Sequence, residues 1–374
     1  MRFASARAHN PGMRPRLFLI LALLLPASAQ DQAGIERFRI QSDLLTAFWG
    51  RPMHVEAGVV LPPDHKPEEA VPICYIVHGF GGSADRAWRD GPGLIEKMRG
   101  GYPRMIHVYL QAQFPMGHHE FADSVNNGPW GAALTGEFIP AIEKRFAPGA
   151  DARRRFLTGH SSGGWSSLWL QVTYPAVFNG TWSTAPDPVD FRDFIGIDIY
   201  NDVNAYSHSN GEPVQLVRRD GKWAMTLKEY TERERERKPV GGQMYSFNAV
   251  FSPRGEDGAP MRLYDWETGA IDRSVAEAWK RYDIGLILRG RWKELGPKLR
   301  GRLKVWIGTQ DTYRLEGAVK RLKADLAALG SDAEILLVEE RDHGDLSQPH
   351  PTHWPDGMPA RIHAEMLARF RAAD

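Results

Sequence analysis

The stretch that most constrains this chain is Thr158-Gly159-His160-Ser161-Ser162-Gly163-Gly164, set between a strand-like run, Arg154 to Leu157, and a helix-like run, Trp165 to Val172. A strand must turn sharply into a helix there, and Gly159 and Gly163 lack the Cβ atoms that would clash. The segment fits G-x-S-x-G, in which a tight turn presents a serine hydroxyl above a sheet at a helix N-terminus. Ser161 is therefore the candidate nucleophile. A bare five-residue match also arises as a glycine-rich turn without chemistry, so residues elsewhere in the chain have to decide between the two readings.

A serine hydroxyl is a poor nucleophile until a base removes its proton, and the base works best when a carboxylate fixes its tautomer. Behind such an elbow the partners follow in the order acid, then histidine. Gly308-Thr309-Gln310-Asp311 directly follows the strand-like run Leu303 to Ile307, and Arg341-Asp342-His343-Gly344 follows the run Ala333 to Val338. Both fall at strand carboxyl ends, as Ser161 does, so Asp311 and His343 are the expected acid and base. Asp187 and Asp190 are rival acids, and His350, His353 and His363 rival bases.

Attack on an ester carbonyl develops an oxyanion that needs preorganised N–H donors. The backbone N–H of Ser162, at the start of the elbow helix, is one expected donor. The other is that of Phe80 in the loop His78-Gly79-Phe80-Gly81-Gly82, with Gly81 the alternative. Nucleotide binding is not expected of this loop, which lacks both G-x-G-x-x-G and a Walker ending. Gly79, Gly81, His160, Trp130 and His118 are the expected substrate contacts. His118, His119 and Glu120 would suit a metal, but adjacent histidines lack the i, i+4 spacing of a zinc enzyme, so no metal is expected and a polar pocket-rim role is assigned to them. Trp130, Trp165, Trp266 and Trp292 are candidates for an aromatic or sugar-binding cleft, although most tryptophans should be core.

The rest of the chain alternates strand and helix patterns. Ile35 to Ile40, His54 to Leu61, Val71 to Val77 and Met105 to Leu110 read as strands, with helical patterning around Leu94 to Met98. After a long loop, Gln111 to Trp130, a helix over Ala132 to Arg145 leads to the elbow strand, and Gly180 to Ser183 is a further short strand. A helix over Glu316 to Leu329 and a last amphipathic helix from Pro359 to Arg371 complete the pattern of a mostly parallel sheet with helices on both faces. Between them the rhythm breaks over residues 190–299, too long for a structureless connection. This insertion is expected to form a cap or lid over the sheet's carboxyl edge, dividing the chain into 30–189 plus 300–374 and 190–299. Within it, Val214 to Val217 and Lys222 to Thr226 flank Arg219-Asp220-Gly221, a hairpin signal. Val275 to Tyr282 and Trp292 to Leu299 read as short helices, and the alternating charges from Glu232 to Arg237 as a solvated face.

Residues 1–29 read as a secretory signal peptide: Arg2, Arg7, Arg14 and Arg16, an apolar Leu17 to Leu25, and an Ala27-Ser28-Ala29 cleavage site, with Met13 an alternative start. The apolar core is too short for a membrane span, and an exported periplasmic or secreted protein is expected. The single Cys74 lies in an apolar run and reads as a core residue. A formal net charge of +1, from 47 Lys+Arg against 46 Asp+Glu, argues against nucleic acid or an anionic membrane as partner and for a small uncharged one.

Taken together, Gly159-His160-Ser161-Ser162-Gly163-Gly164, the His78-Gly79-Phe80-Gly81-Gly82 loop, Asp311 and His343 resemble the Putative esterase family of α/β-hydrolases, which includes esterase D-like, feruloyl-esterase-like and enterochelin-esterase-like enzymes. The resemblance implies the α/β-hydrolase fold, no cofactor, a small-molecule ester substrate and hydrolysis through an acyl-serine intermediate, with the triad on Ser161, Asp311 and His343. The insertion is longer than the family leads one to expect. The same triad serves acyl transfer and peptide hydrolysis, and a non-catalytic binding protein of the same fold is the reading from another class.

Overall fold

The computed structural model of the protein describes residues 34–372, which fall within one compact unit, so the expected leader at 1–29 lies outside the described residues. Eight strands form the central sheet: β1 (Ile35–Gln41), β2 (His54–Val60), β3 (Ile73–Val77), β4 (Ile106–Leu110), β5 (Arg155–His160), β6 (Thr181–Thr184), β7 (Leu303–Gly308) and β8 (Glu334–Val338). Their spatial order is β1-β2-β4-β3-β5-β6-β7-β8. Only β2 runs against its neighbours, pairing antiparallel with β1 and β4, and the other pairings are parallel. The mostly parallel sheet read from the alternation is therefore present, with an antiparallel excursion at β2, one of three strands that precede the first crossover helix, α1 (Arg86–Arg99).

Register decides what the sheet can do. Val77 pairs with Gly159, His160 with Thr184, Thr184 with Trp306, and Gly308 with Val338, so the carboxyl ends of five strands lie level. The segments that leave that edge carry His78–Phe80, Ser161, Asp187, Asp311 and His343. In open parallel sheets this edge is where ligands bind.

The expected helix over Ala132 to Arg145 is built in three pieces: an α turn Trp130–Ala133, a π turn Leu134–Phe138, and α2 (Ile139–Phe146). Pro140 has no N–H to give to the carbonyl four residues back, and a widened turn just before it accommodates the missing bond. The elbow helix α3 (Ser162–Thr173) is buried on almost every side, which its weak amphipathicity predicts. Its outer face is covered by the insertion: Trp165 packs at 5.1 Å on Phe251, and Trp169 at 5.6 Å on Tyr282. Phe191, Phe194, Phe247 and Trp279 of residues 190–299 belong to the same buried cluster as Val305 and Trp306 of the sheet.

The Asp220-Gly221 hairpin is present, with both turn residues in the left-handed region (φ 49° and 72°), joining Gln215–Arg219 to Lys222–Thr226. The insertion's helices are α4 (Leu227–Arg237), α5 (Gln243–Phe251), a short Arg273–Trp279 helix extended by a turn to Tyr282, and α6 (Ile284–Leu299), kinked at Arg291. The charged run read as solvated is α4, and Glu234 on it turns inward to accept the N–H groups of Met244 and Tyr245 at 3.1 and 3.0 Å, capping α5. The chain ends with α7 (Glu316–Ala328) and α8 (Met358–Ala372).

Candidate active site

Ser161 sits at φ 60°, ψ −126°, a conformation that costs on the order of 1–3 kcal/mol in a non-glycine residue. Three backbone hydrogen bonds hold it there: Ser161 N–H to the Thr184 carbonyl (3.0 Å), and its own carbonyl accepting from Trp165 (3.0 Å) and Asp187 (3.2 Å). The glycines permit the fold of the chain around it. A Cβ on Gly159 would lie 2.1 Å from the Gly163 carbonyl oxygen, and one on Gly163 would lie 2.0 Å from that of Val77. Both contacts are with backbone, which cannot swing aside. Gly163→Ala is expected to lower the denaturant midpoint by the equivalent of about 3 kcal/mol, the upper range for overpacking. Gly136→Ala, where nothing lies within 4 Å, should leave the midpoint unchanged or raise it.

Asp311, fully buried at the end of β7, accepts a hydrogen bond from His343 Nδ1 through Oδ2 at 2.7 Å. Its Oδ1 accepts the N–H groups of Tyr313 (2.9 Å) and Leu315 (3.4 Å), which fixes the carboxylate plane. The insertion also grips this loop, because Arg218 donates its N–H to Thr312 O at 2.8 Å and its guanidinium to Asp311 O at 3.1 Å. Burial alone would depress the pKa of His343, but the hydrogen bond and charge of Asp311 outweigh it and raise the value above the ordinary 6.5. The imidazole packs at 4.5 Å on His160 and edge-on at 5.0 Å to Tyr313.

Neighbouring histidines are held neutral. Thr184 Oγ1 donates to Gly159 O (2.9 Å) and so accepts from His160 Nδ1 (3.1 Å), and burial pushes the His160 pKa down to about 3. His78 accepts the Ala112 N–H at Nε2 (2.9 Å) and donates from Nδ1 to Gly79 O (2.7 Å), fixing the start of the glycine-rich loop. The Gly81 N–H donates to Gln113 Oε1 at 3.3 Å, so this alternative donor is engaged. Ser162 begins α3, where the first N–H groups of a helix have no intrahelical acceptor.

Ser161, His343, His160, Gly79 and Phe80 line one cavity of about 290 Å³, closed on the insertion side by Leu216, Tyr230, Gln243, Met244 and Phe247. Of the expected substrate contacts, Gly79 and His160 face this cavity, whereas Gly81 lies outside its lining. His118, expected at the rim, is instead fully buried beneath it and donates from Nε2 to His78 O at 2.9 Å. Trp130 is also buried, stacked at 3.8 Å on His119, with its N–H on Asn127 O. None of Trp130, Trp165, Trp266 and Trp292 lines the cavity. Of the rivals, Asp190 pairs with Arg192 and Arg289, and His363 packs on His107 and Tyr102, well apart in their contacts from Ser161. His350 and His353 stack on each other at 4.6 Å in their own loop.

Asp187 does line the cavity, but it accepts Ser162 Oγ–H (2.6 Å) and Gln243 Nε2–H (3.1 Å) rather than a histidine. Burial pushes its pKa up to about 7. Among the described residues no group of His, Cys, Asp or Glu is placed to hold a metal ion, and no helix is long and apolar enough to cross a membrane.

The Putative esterase family model matches residues 46–283. No curated protein matches the chain in sequence. A ferulic acid esterase superposes with a TM-score of 0.53 at 13% identity, over 90% of this chain and 98% of its own. The S-formylglutathione hydrolase of Staphylococcus aureus gives 0.51 at 11% identity, over 89% and 98%. A fluorophosphonate-binding serine hydrolase from the same organism, substrate bound, gives 0.50 at 12%, over 89% and 98%. At such identities the likeness is one of fold. With an elbow serine at the carboxyl edge of this sheet and a family match over most of the chain, the protein belongs to the Putative esterase family, serine hydrolases of the α/β-hydrolase fold that act on esters.

Proposed function

We propose that the protein is an exported esterase that cleaves small carboxylic esters through an acyl-serine intermediate on Ser161. The observation that carries this reading is the 2.7 Å hydrogen bond from His343 Nδ1 to buried Asp311, in a cavity whose wall also contains the elbow serine. His343 Nε2 takes the proton as Ser161 Oγ attacks the carbonyl carbon, and Asp311 stabilises the imidazolium that results. The oxyanion then receives the N–H groups of Phe80 and Ser162. Collapse breaks the bond to the alcohol oxygen, which leaves with the His343 proton. Water repeats the sequence on the acyl-serine and releases the acid. Export rests on the sequence pattern of residues 1–29.

The test is a panel of aryl and alkyl esters of increasing acyl length beside their matched amides and peptides, with and without added acceptor alcohols. Turnover of esters alone, to free acid, supports the reading. Preferential amide cleavage, or acyl product trapped on the alcohol in place of acid, overturns it. The pH dependence follows from the base. His343 must be neutral to act, and its pKa is raised, so kcat/KM should climb with pH through an inflection above 6.5. Asp187 adds negative charge that raises His343 further, so Asp187→Asn should move that inflection to lower pH.

A further inference from the structure

Glu120 is an anomaly in this site. Its side chain is fully buried with no lysine or arginine paired to it; Oε1 lies 3.1 Å from His118 Nδ1 but makes no hydrogen bond, because that nitrogen accepts the backbone N–H of Glu120 itself at 3.2 Å. Its backbone and that of Phe121 are both left-handed (φ 56° and 48°), a conformation rare for side chains of this size and held only where the surroundings impose it. Glu120 reaches two segments, by its N–H and by its carboxyl. On one side, His118 donates from Nε2 to the carbonyl of His78, the head of the glycine-rich loop. On the other, Ser166 Oγ lies 2.6 Å from Glu120 Oε2 and 2.7 Å from the carbonyl of Ser162, the first residue of α3.

Counting protons shows how this chain is wired. Ser166 has one hydroxyl hydrogen, and neutral His118, with Nε2–H given to His78, uses its lone pair on Nδ1 to accept the Glu120 N–H. An ionised Glu120 would have to share the single Ser166 hydrogen with the Ser162 carbonyl and would set its other oxygen against the lone-pair side of His118 Nδ1. A carboxylic acid supplies a second, donated to Ser166 Oγ while Ser166 donates to Ser162 O. The electrostatics agree: burial raises Glu120 well above the carboxylate range and lowers His118 to about 4, so both are neutral near pH 7. The other titratable groups here are His78 and His119, whose rings lie 5.2 and 6.2 Å from that of His118 and which burial keeps neutral, and Asp187, joined through Ser162 Oγ.

We propose that Glu120 is a positioning residue for the oxyanion hole: its N–H and the carboxyl packed beside it hold His118, and so the loop that carries the Phe80 N–H, while its carboxyl holds Ser166, and so the helix start that carries the Ser162 N–H. The inference rests on the esterase reading above. The two donors come from segments far apart in sequence, and nothing in either alone sets their separation. A buried strut that touches one carbonyl on each side does so without adding charge beside a developing anion. Because misplacing a group by about 1 Å can cost about 100-fold in rate, a strut of this kind is read out in kcat.

The experiment compares wild type with Glu120→Gln, Glu120→Ala and Ser166→Ala, each checked for folding by circular dichroism. It measures ester kcat and KM, labelling by a fluorophosphonate, and inhibition by a boronic acid whose tetrahedral adduct places an anion in the hole. Glu120→Ala is expected to lower kcat about 100-fold with KM within about threefold, and to weaken the boronate in proportion. Glu120→Gln, neutral and still a donor, should recover to within about tenfold of wild type, and Ser166→Ala should lose about tenfold by freeing only the helix side. Ser166→Ala removes a single oxygen and keeps the test in hand if Glu120→Ala does not fold. Unchanged kcat in the folded variants, or a loss confined to KM with boronate affinity intact, overturns the proposal. A wild type that neither turns over esters nor takes the fluorophosphonate overturns the esterase reading itself, an outcome distinct from active wild type with indifferent variants.

Discussion

Asp311→Asn is expected to lower kcat for ester hydrolysis by about 10⁴-fold with little change in KM. The size of the effect follows from how the carboxylate is held. Oδ1 is occupied by the N–H groups of Tyr313 and Leu315, so an asparagine there keeps its oxygen on that side and turns its NH₂ toward His343. The imidazole must then accept at Nδ1 and carry its hydrogen on Nε2, the tautomer that cannot take a proton from Ser161. Volume and burial hardly change, so circular dichroism and the denaturation midpoint should stay near those of wild type. The same substitution removes the charge that raises the His343 pKa, so what activity remains should persist to lower pH. A loss of only a few-fold would mean that another acid, with Asp187 the nearest in the cavity wall, serves the histidine.

The second large effect is that of Ser161→Ala, which should reduce kcat by about 10⁶-fold, the loss typical of removing a nucleophile from a triad. Alanine keeps the Cβ and therefore the same backbone strain at φ 60°, so the elbow should fold unchanged. Residual turnover above the uncatalysed rate would report the oxyanion donors and binding alone. Steady-state hydrolysis of an activated aryl ester, corrected for buffer, measures both quantities.

Much of this was legible in the residues because each signal had one physical meaning. Alternating apolar runs specify strands, and two glycines flanking His160-Ser161-Ser162 specify a turn in which backbone meets backbone near 2 Å from where a Cβ would be. Asp311 and His343 could be chosen because register in a parallel sheet brings every strand's carboxyl end to one edge, so position after a strand stands in for position in space. The Asp-Gly hairpin was equally plain, since only its turn geometry admits two successive positive φ values cheaply.

What the sequence concealed depends on contacts between distant segments. His118 looked like a rim residue because adjacent histidines in a long loop suggest exposure, yet its loop folds under the sheet edge and ties to His78, 40 residues away. His119 and Glu120, read with it as polar rim residues, are buried as well, and no periodicity marks them so. The grip of Arg218 on the Asp311 loop joins residues 93 apart, and the capping of α5 by Glu234 lay within a run of alternating charge that reads most simply as solvated. Trp130, Trp165 and Trp266 behave as bulk would predict, filling core rather than lining a cleft, with Trp165 and Trp169 stacked at 5.2 Å beneath the insertion.

The measurement that bears most directly on the central claim is intact-mass analysis of the protein after treatment with a fluorophosphonate, followed by peptide mapping, with Ser161→Ala and Asp311→Asn in parallel. The account predicts a single adduct on wild type, mapped to Ser161, absent from Ser161→Ala and formed far more slowly on Asp311→Asn. A folded wild type that turns over small esters but carries the adduct on another residue, or an adduct that persists in Ser161→Ala, would contradict it.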